Sequence, residues 1–181
     1  MTTFRWHGGR GSVNFIATLG MRWGPAVERL REPADLARWF REAGMTGELV
    51  EISDADLSDA LDLREALYAL FTGASTDVTL VNRWLASPVP SGLLEVVSGK
   101  LTRLAPATDA RGLLGLLARD GADLLTGPWA HRIRECERED CSLLFVDESR
   151  AGARRWCSME TCGARSKMAR YRATRPGVVS E

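Results

Sequence analysis

No stretch of this chain holds about eighteen consecutive apolar residues, so no segment is expected to cross a bilayer as a helix. The first fifteen residues lack a basic segment followed by an apolar core, and no secretion leader is expected there. Internal repeats and low-complexity runs are absent. Histidine is scarce: His7 and His131 are the two in the chain. No G-x-S-x-G elbow is present. Gly8, Gly9 and Gly11 precede a helical pattern, but no long strand leads into them and no Lys-Ser/Thr pair follows, so they read as a turn rather than a phosphate loop. These absences leave enzyme chemistry without positive support and place the chain among cytoplasmic proteins with reduced thiols.

Cysteine is missing from the first 135 residues and then appears four times, as Cys136, Cys141, Cys157 and Cys162. The spacing is C-x4-C, fifteen residues, C-x4-C. Four thiolates hold one Zn²⁺ tetrahedrally, and a structural site fills all four positions with protein ligands. Disulfides and four small buried residues are the rival readings, and a reducing compartment favours metal. A closed four-sulfur site leaves no open position for catalysis, and His131 competes only weakly as a ligand. One structural zinc per chain is expected. Between the pairs, Ser142 to Val146 reads as a strand, and the segment after Asp147 as a charged, Gly-containing loop. Ser158, Glu160 and Thr161 mark a helix start, with Pro176-Gly177 as its stop. The second pair thus sits at a helix N-terminus, where partial positive charge favours thiolates. A knuckle, strand, loop and ligand-bearing helix resemble a treble-clef or ribbon-type zinc module.

The pattern C-x4-C, LF-x-D-x-S, RRWCSM-x-x-CG-x-R-x-K and a following Tyr resembles the CGNR zinc finger. It is carried by Phe145, Asp147, Ser149, Arg154, Arg155, Trp156, Cys157, Ser158, Met159, Cys162, Gly163, Arg165, Lys167 and Tyr171. Ala164 stands where the name motif has Asn, so contacts that depend on that side chain are not expected here. In bacteria this module typically follows an ABATE domain, in proteins described as stress-induced transcription regulators. The N-terminal part resembles that domain through its Gly-Gly turn, VNF-x-x-T-L, DLARWF-x-x-AG and LREAL. The resemblance implies a signal-sensing domain over residues 1–128 and a zinc-binding domain over residues 129–181, divided at Gly127-Pro128.

The expected fold is mainly α: a helical N-terminal domain with a small β-hairpin, and the small zinc module. Ser12 to Gly20 reads as a first helix capped by Ser12, and Arg22 to Met45 as one or two helices with Pro33 at a first helical position. Gly47 to Ile52 is a loop or edge strand. Ser53 to Thr72 is the strongest helix, opened by a capping box of Ser53 and Asp56. A helix capped by Ser75 or Thr76 follows, until Pro88 and Pro90 break the chain. Two arms from Leu93 onward surround Ser98-Gly99 as a hairpin, and a Leu-rich helix starts near Asp109. His131 to Glu135 reads as a strand leading to the first knuckle.

Two further sites are expected. Arg64, Asn14 and Asn82 are polar residues within apolar helices, and with Trp39 they could line a pocket for a small anionic ligand. The alternative is that Arg64 pairs with Glu65, Asp62 or another internal acid. The formal net charge is zero, yet residues 150–175 hold eight basic residues against one acid, Glu160. Arg154, Arg155, Arg165, Lys167, Arg170 and Arg172 are therefore expected to form one basic face that binds DNA phosphates. The alternative is a zinc-stabilised protein-interaction module without DNA binding. Trp156 is expected in the module's core rather than stacked on a base.

Overall fold

The computed structural model describes residues 3–88, 94–103 and 109–174. Pro90, Leu93 and the Pro176-Gly177 stop lie outside them. The chain runs α1 (Gly11–Ile16), β1 (Leu19–Gly20), β2 (Val27–Glu28), α2 (Pro33–Glu42), α3 (Asp54–Thr72) and α4 (Thr79–Leu85). It continues through β3 (Leu94–Val97), β4 (Lys100–Arg103) and α5 (Ala110–Thr126) to a 3-10 turn, Ala130–Arg132. β5 (Ile133–Glu135), β6 (Leu144–Val146), a π-helical turn (Met159–Gly163) and α6 (Ala164–Thr174) complete it. The strands pair antiparallel as β1–β2, β3–β4 and β5–β6. The fold is mainly α with small hairpins, as expected.

Local chemistry explains the boundaries. Ser53 accepts from the Asp56 amide while the Asp56 carboxylate accepts from the Ser53 amide, which opens α3, and Gly73 closes it at φ +71°. Pro33 sits at the start of α2, and Asp109 caps α5 by accepting from the Gly112 amide at 2.8 Å. Four expectations change. The first helix ends at Ile16, because Leu19 and Gly20 pair with Glu28 and Val27 instead. Ser12 does not cap it: the hydroxyl and amide of Ser12 both donate to Asp120 on α5, at 2.6 and 2.8 Å. The fourth helix begins at Thr79, four and three residues beyond the expected caps Ser75 and Thr76, and Asp77 accepts from the Thr79 amide. Residues 22–32 contain β2 rather than a helix, and 47–52 form a loop.

α5 packs against α1, α3 and α4 around Phe15, Trp39, Phe40, Leu63, Leu67, Trp84, Leu113 and Leu114, all buried. Two residues of that core, Leu144 and Val146, come from β6, far along the chain. Leu143 and Phe145, with the opposite parity, bury against Ala17 and the cysteines instead. Alternation along a strand thus puts one β6 face on the helices and the other on the cysteine cluster. The Val146 amide donates to the Gly8 carbonyl at 3.0 Å, so the N-terminal glycine turn is fastened to the same strand.

The buried cation of this core is Arg64. Its guanidinium grips Glu28 with both terminal nitrogens at 2.7 and 2.8 Å, donates from Nε to Glu65 at 2.8 Å, and touches Thr18 Oγ1 at 3.2 Å. The Arg64 side chain is 4% exposed and that of Glu28 31%, so removing one partner strands a largely desolvated charge on the other. Arg64→Met is expected to lower unfolding stability by about 2–4 kcal/mol, below the fully buried case because Glu28 keeps some water. A denaturant double-mutant cycle with Glu28→Gln checks it, and additive single effects would contradict the pairing.

Candidate metal centre and basic helix

The β5–β6 ladder delivers the first knuckle. Past Glu135 the pairing continues, with the Cys136 amide donating to the Leu143 carbonyl at 2.9 Å. The chain then reverses between Cys136 and Cys141, where the Cys141 amide donates to the Arg138 carbonyl at 2.8 Å. The Arg138 amide points at the Cys136 sulfur and the Leu143 amide at the Cys141 sulfur. The second pair flanks a helix start. Ser158 caps the π-helical turn through the Thr161 amide, and Cys162 lies within that turn.

All four Sγ atoms lie within 4.8 Å of one another. Cys141 to Cys157 is 3.8 Å and Cys157 to Cys162 is 3.6 Å. A tetrahedral ion with Zn–S bonds of about 2.3 Å separates its sulfurs by about 3.8 Å, so the cluster already has the size of a zinc site. Its chemistry points the same way. Thiol hydrogen bonds from Cys141 and Cys157 hold Cys136 down, to about 2, while the Cys136 sulfur pushes Cys141 up, to about 12. Without a cation Cys136 and Cys141 therefore do not both ionise; a divalent ion replaces the proton between them and lets both be thiolates. A structural zinc fits.

Around the sulfurs lies a frame of charged groups. Asp147 is fully buried and accepts from the amides of Ser149 and Arg154 at 3.0 and 2.9 Å, with Arg134 at 3.8 Å. The hydrogen bonds from Ser149 lead in holding its carboxyl down, to about 2. Arg154 spans the loop. Its Nε donates to the Trp156 carbonyl at 2.9 Å, a terminal nitrogen reaches the Cys157 carbonyl, and the guanidinium lies over Phe145 at 4.7 Å. Arg138, which the sequence reading missed, donates to Cys162 Sγ at 3.7 Å and pairs with Asp140. Its only sequence signal was a lone cation inside the acidic knuckle Cys136–Cys141.

The family model for ABATE, described as "Putative stress-induced transcription regulator", matches residues 9–128. That is more than half of the chain. The chain belongs to the ABATE family. A CGNR zinc finger model matches residues 132–175, and that stretch contains the four clustered cysteines. No curated protein matches the chain. This ABATE-family protein is thus a zinc-binding regulator by family and by donor set.

The six residues expected as a basic face divide in two. Arg165, Lys167, Arg170 and Arg172 lie on α6, which has no buried residue. Arg155 pairs with Glu137 and stacks on Trp156, 4.8 Å from its ring, while Arg154 serves the zinc loop and is only half-exposed. Trp156 is partly buried against the cysteine cluster. Ala164 is exposed at the head of α6. His131 is exposed, hydrogen-bonded to Arg132 and not part of the sulfur cluster.

The four residues expected around a ligand pocket do not come together. Arg64 is saturated by carboxylates, the alternative stated for it. Asn14 accepts from the Gly8 amide at 2.8 Å and so locks the glycine turn. Trp39 is core, stacked on Trp6 at 5.7 Å and packed on Phe15 and Phe40. Asn82 faces solvent. Apolar neighbours in sequence do not reveal whether a polar side chain turns inward to a ligand or to its own backbone.

Elemental analysis is expected to give one zinc per chain, and Cys157→Ser to lose the metal together with the fixed emission of Trp156, because metal binding here is largely folding free energy. Full zinc content in that variant would contradict the ligand set. Asp147→Asn removes one of the loop's two carboxylate acceptors; a competing chelator should strip its zinc at about 10- to 100-fold lower concentration.

Proposed function

We propose that this protein is a cytoplasmic transcriptional regulator, not an enzyme, in which the zinc module binds DNA and the helical domain senses a signal. The observation that carries the DNA half is α6: eleven residues, none buried, with Arg165, Lys167, Arg170 and Arg172 on its surface. Helical spacing sets Arg165 and Arg172 on one flank and Lys167 with Arg170 on the other, on either side of half-exposed Met168 and Tyr171. A helix that contributes nothing to a core yet is held at its root by a metal-binding turn has the rigidity and reach of a groove-contacting element. Arginine forks and lysine ammoniums on it suit phosphate oxygens. Most of the acids lie in the first 149 residues, which would repel a polyanion and leave α6 as the approach. Backbone contact is supported more than base readout, since Ala164 replaces the side chain of the family's Asn.

A second reading, docking on a protein, is favoured by the exposed side chains of Met159 at 62%, Met168 at 51% and Tyr171 at 50%. Salt separates the two. Fluorescence anisotropy on a random duplex should show affinity falling steeply with salt, and Arg170→Glu with Arg172→Glu should weaken binding at least about tenfold and lower the log–log salt slope by about 2. Affinity indifferent to salt, or to both reversals, would favour the protein-docking reading.

A further inference from the structure

Between the helical part and the cysteine cluster lies a cavity of about 300 Å³, at the small end of ordinary ligand sites. Its walls carry Arg5, His7, Arg29, Arg138 and Arg165, with Asp140 as the acid facing them. Arg29 is the unusual member. It is 8% exposed, and its donors meet only backbone carbonyls: Nε to Thr3 at 3.1 Å, and one terminal nitrogen to Ala17 and Val27, both at 3.3 Å. Its second terminal nitrogen has no hydrogen-bond partner among the described residues, and no carboxylate grips it. By contrast, Arg64 is gripped by the carboxylate of Glu28, the residue just before Arg29.

The chain makes room for this cation. A Cβ at Gly20 would stand 2.7 Å from an Arg29 terminal nitrogen, so glycine there keeps the guanidinium in place. Burial, and next the charge of Arg5, push Arg29 below its ordinary value, against smaller opposing pulls from Glu28 and Cys141. The cysteines only partly answer them. Cys141, Cys157 and Cys162 reach the cavity floor, but Arg138 already donates to Cys162 and pairs with Asp140. A zinc closed by four sulfurs has no free position to offer. Arg5, Arg29 and Arg165 remain.

We propose that this cavity binds one small oxyanion, phosphate-like in its acceptor geometry, between the remaining terminal nitrogen of buried Arg29 and the exposed guanidiniums of Arg5 and Arg165. Arginine is suited to this because its planar donors match two oxygens at once and it stays charged when desolvated. The ion joins the N-terminal segment, the residue that follows β2 and the zinc-borne helix, because these supply the three arginines. This deepens the sensing half of the function proposed above by naming its ligand class and place, and it does not depend on DNA binding. The same chemistry has two sources, a free ion or a backbone phosphate of DNA.

Calorimetric titration of the zinc-loaded full chain with inorganic phosphate tests it. Saturable one-to-one binding is expected in the micromolar to millimolar range. Arg29→Ala removes a buried side chain that ties three backbone carbonyls, so the test rests on Arg5→Gln, an exposed position with no hydrogen bond among the described residues. It should weaken phosphate about tenfold with unchanged zinc content, and Arg165→Gln should weaken it likewise. No saturable heat, or affinity unchanged in both variants, overturns the site. A duplex that displaces phosphate identifies the backbone as the source, and a duplex that binds alongside it identifies the free ion. Because duplex anisotropy is measured without phosphate, the oxyanion site and the DNA reading fail separately.

Discussion

Strand β6 is three residues long and holds the molecule together. Leu144 and Val146 fill the helical core, while Leu143 and Phe145 lie on the cysteine cluster. A strand buried on both faces reads as a continuous apolar run, and so it does here: Leu143-Leu144-Phe145-Val146. Everything near the metal takes its position from this strand. β5 pairs with it and leads into Cys136; Asp147 follows it and fastens the loop to Cys157; Phe145 carries the guanidinium of Arg154. On the other side, the Gly8 turn hangs from Val146, and Asn14 locks that turn. A register slip of one residue would exchange the two faces and break both halves together.

The motif of the zinc module has a physical account. Asp147 and Ser149 make one closed turn, since the carboxylate accepts from both ends of the loop. Arg154 binds two carbonyls just before and at Cys157, so it shapes the second knuckle rather than meeting a ligand. Gly163 sits where a Cβ would press on Met159 sulfur at 3.3 Å and lie in contact with the Trp156 ring at 3.6 Å. These residues look cationic, acidic or small in sequence, and each is spent on geometry around four sulfurs.

Much of this was legible in sequence because its signals are local. The capping box of α3, the cap of α5, the Ser98-Gly99 turn with both residues at positive φ, and the paired cysteines all act within a few residues. What was not legible is long-range. Ser12 looked like a cap and instead binds Asp120, more than a hundred residues on. Leu19 and Gly20 looked like the end of a helix and became a strand because β2 competes for their backbone. Arg64 was singled out as a buried cation, and rightly seen to need a partner; that Glu28 supplies it depends on the fold of residues 22–32, read as helical. Arg29, inside the stretch read as helical, carried no signal at all, since only the closed molecule buries it.

The shared strand also makes metal and core one thermodynamic unit. Zinc binds the folded knuckles and not the open chain, so its binding free energy adds to the stability of whatever must be folded for the knuckles to exist. Here that includes Leu144 and Val146, hence the packing of α1 against them. The link runs both ways: a change in the helical domain that moves β6 changes the affinity for zinc by the same factor that zinc changes it. Arg22 tightens the link, because its amide binds Ser142 Oγ at 2.8 Å while its side chain grips Glu65 on α3. Trp23 adds a hydrogen bond to Glu135 at 2.7 Å. The helices and the root of α6 are therefore joined by packed and hydrogen-bonded groups that run through β6 and the Arg22-Trp23 segment.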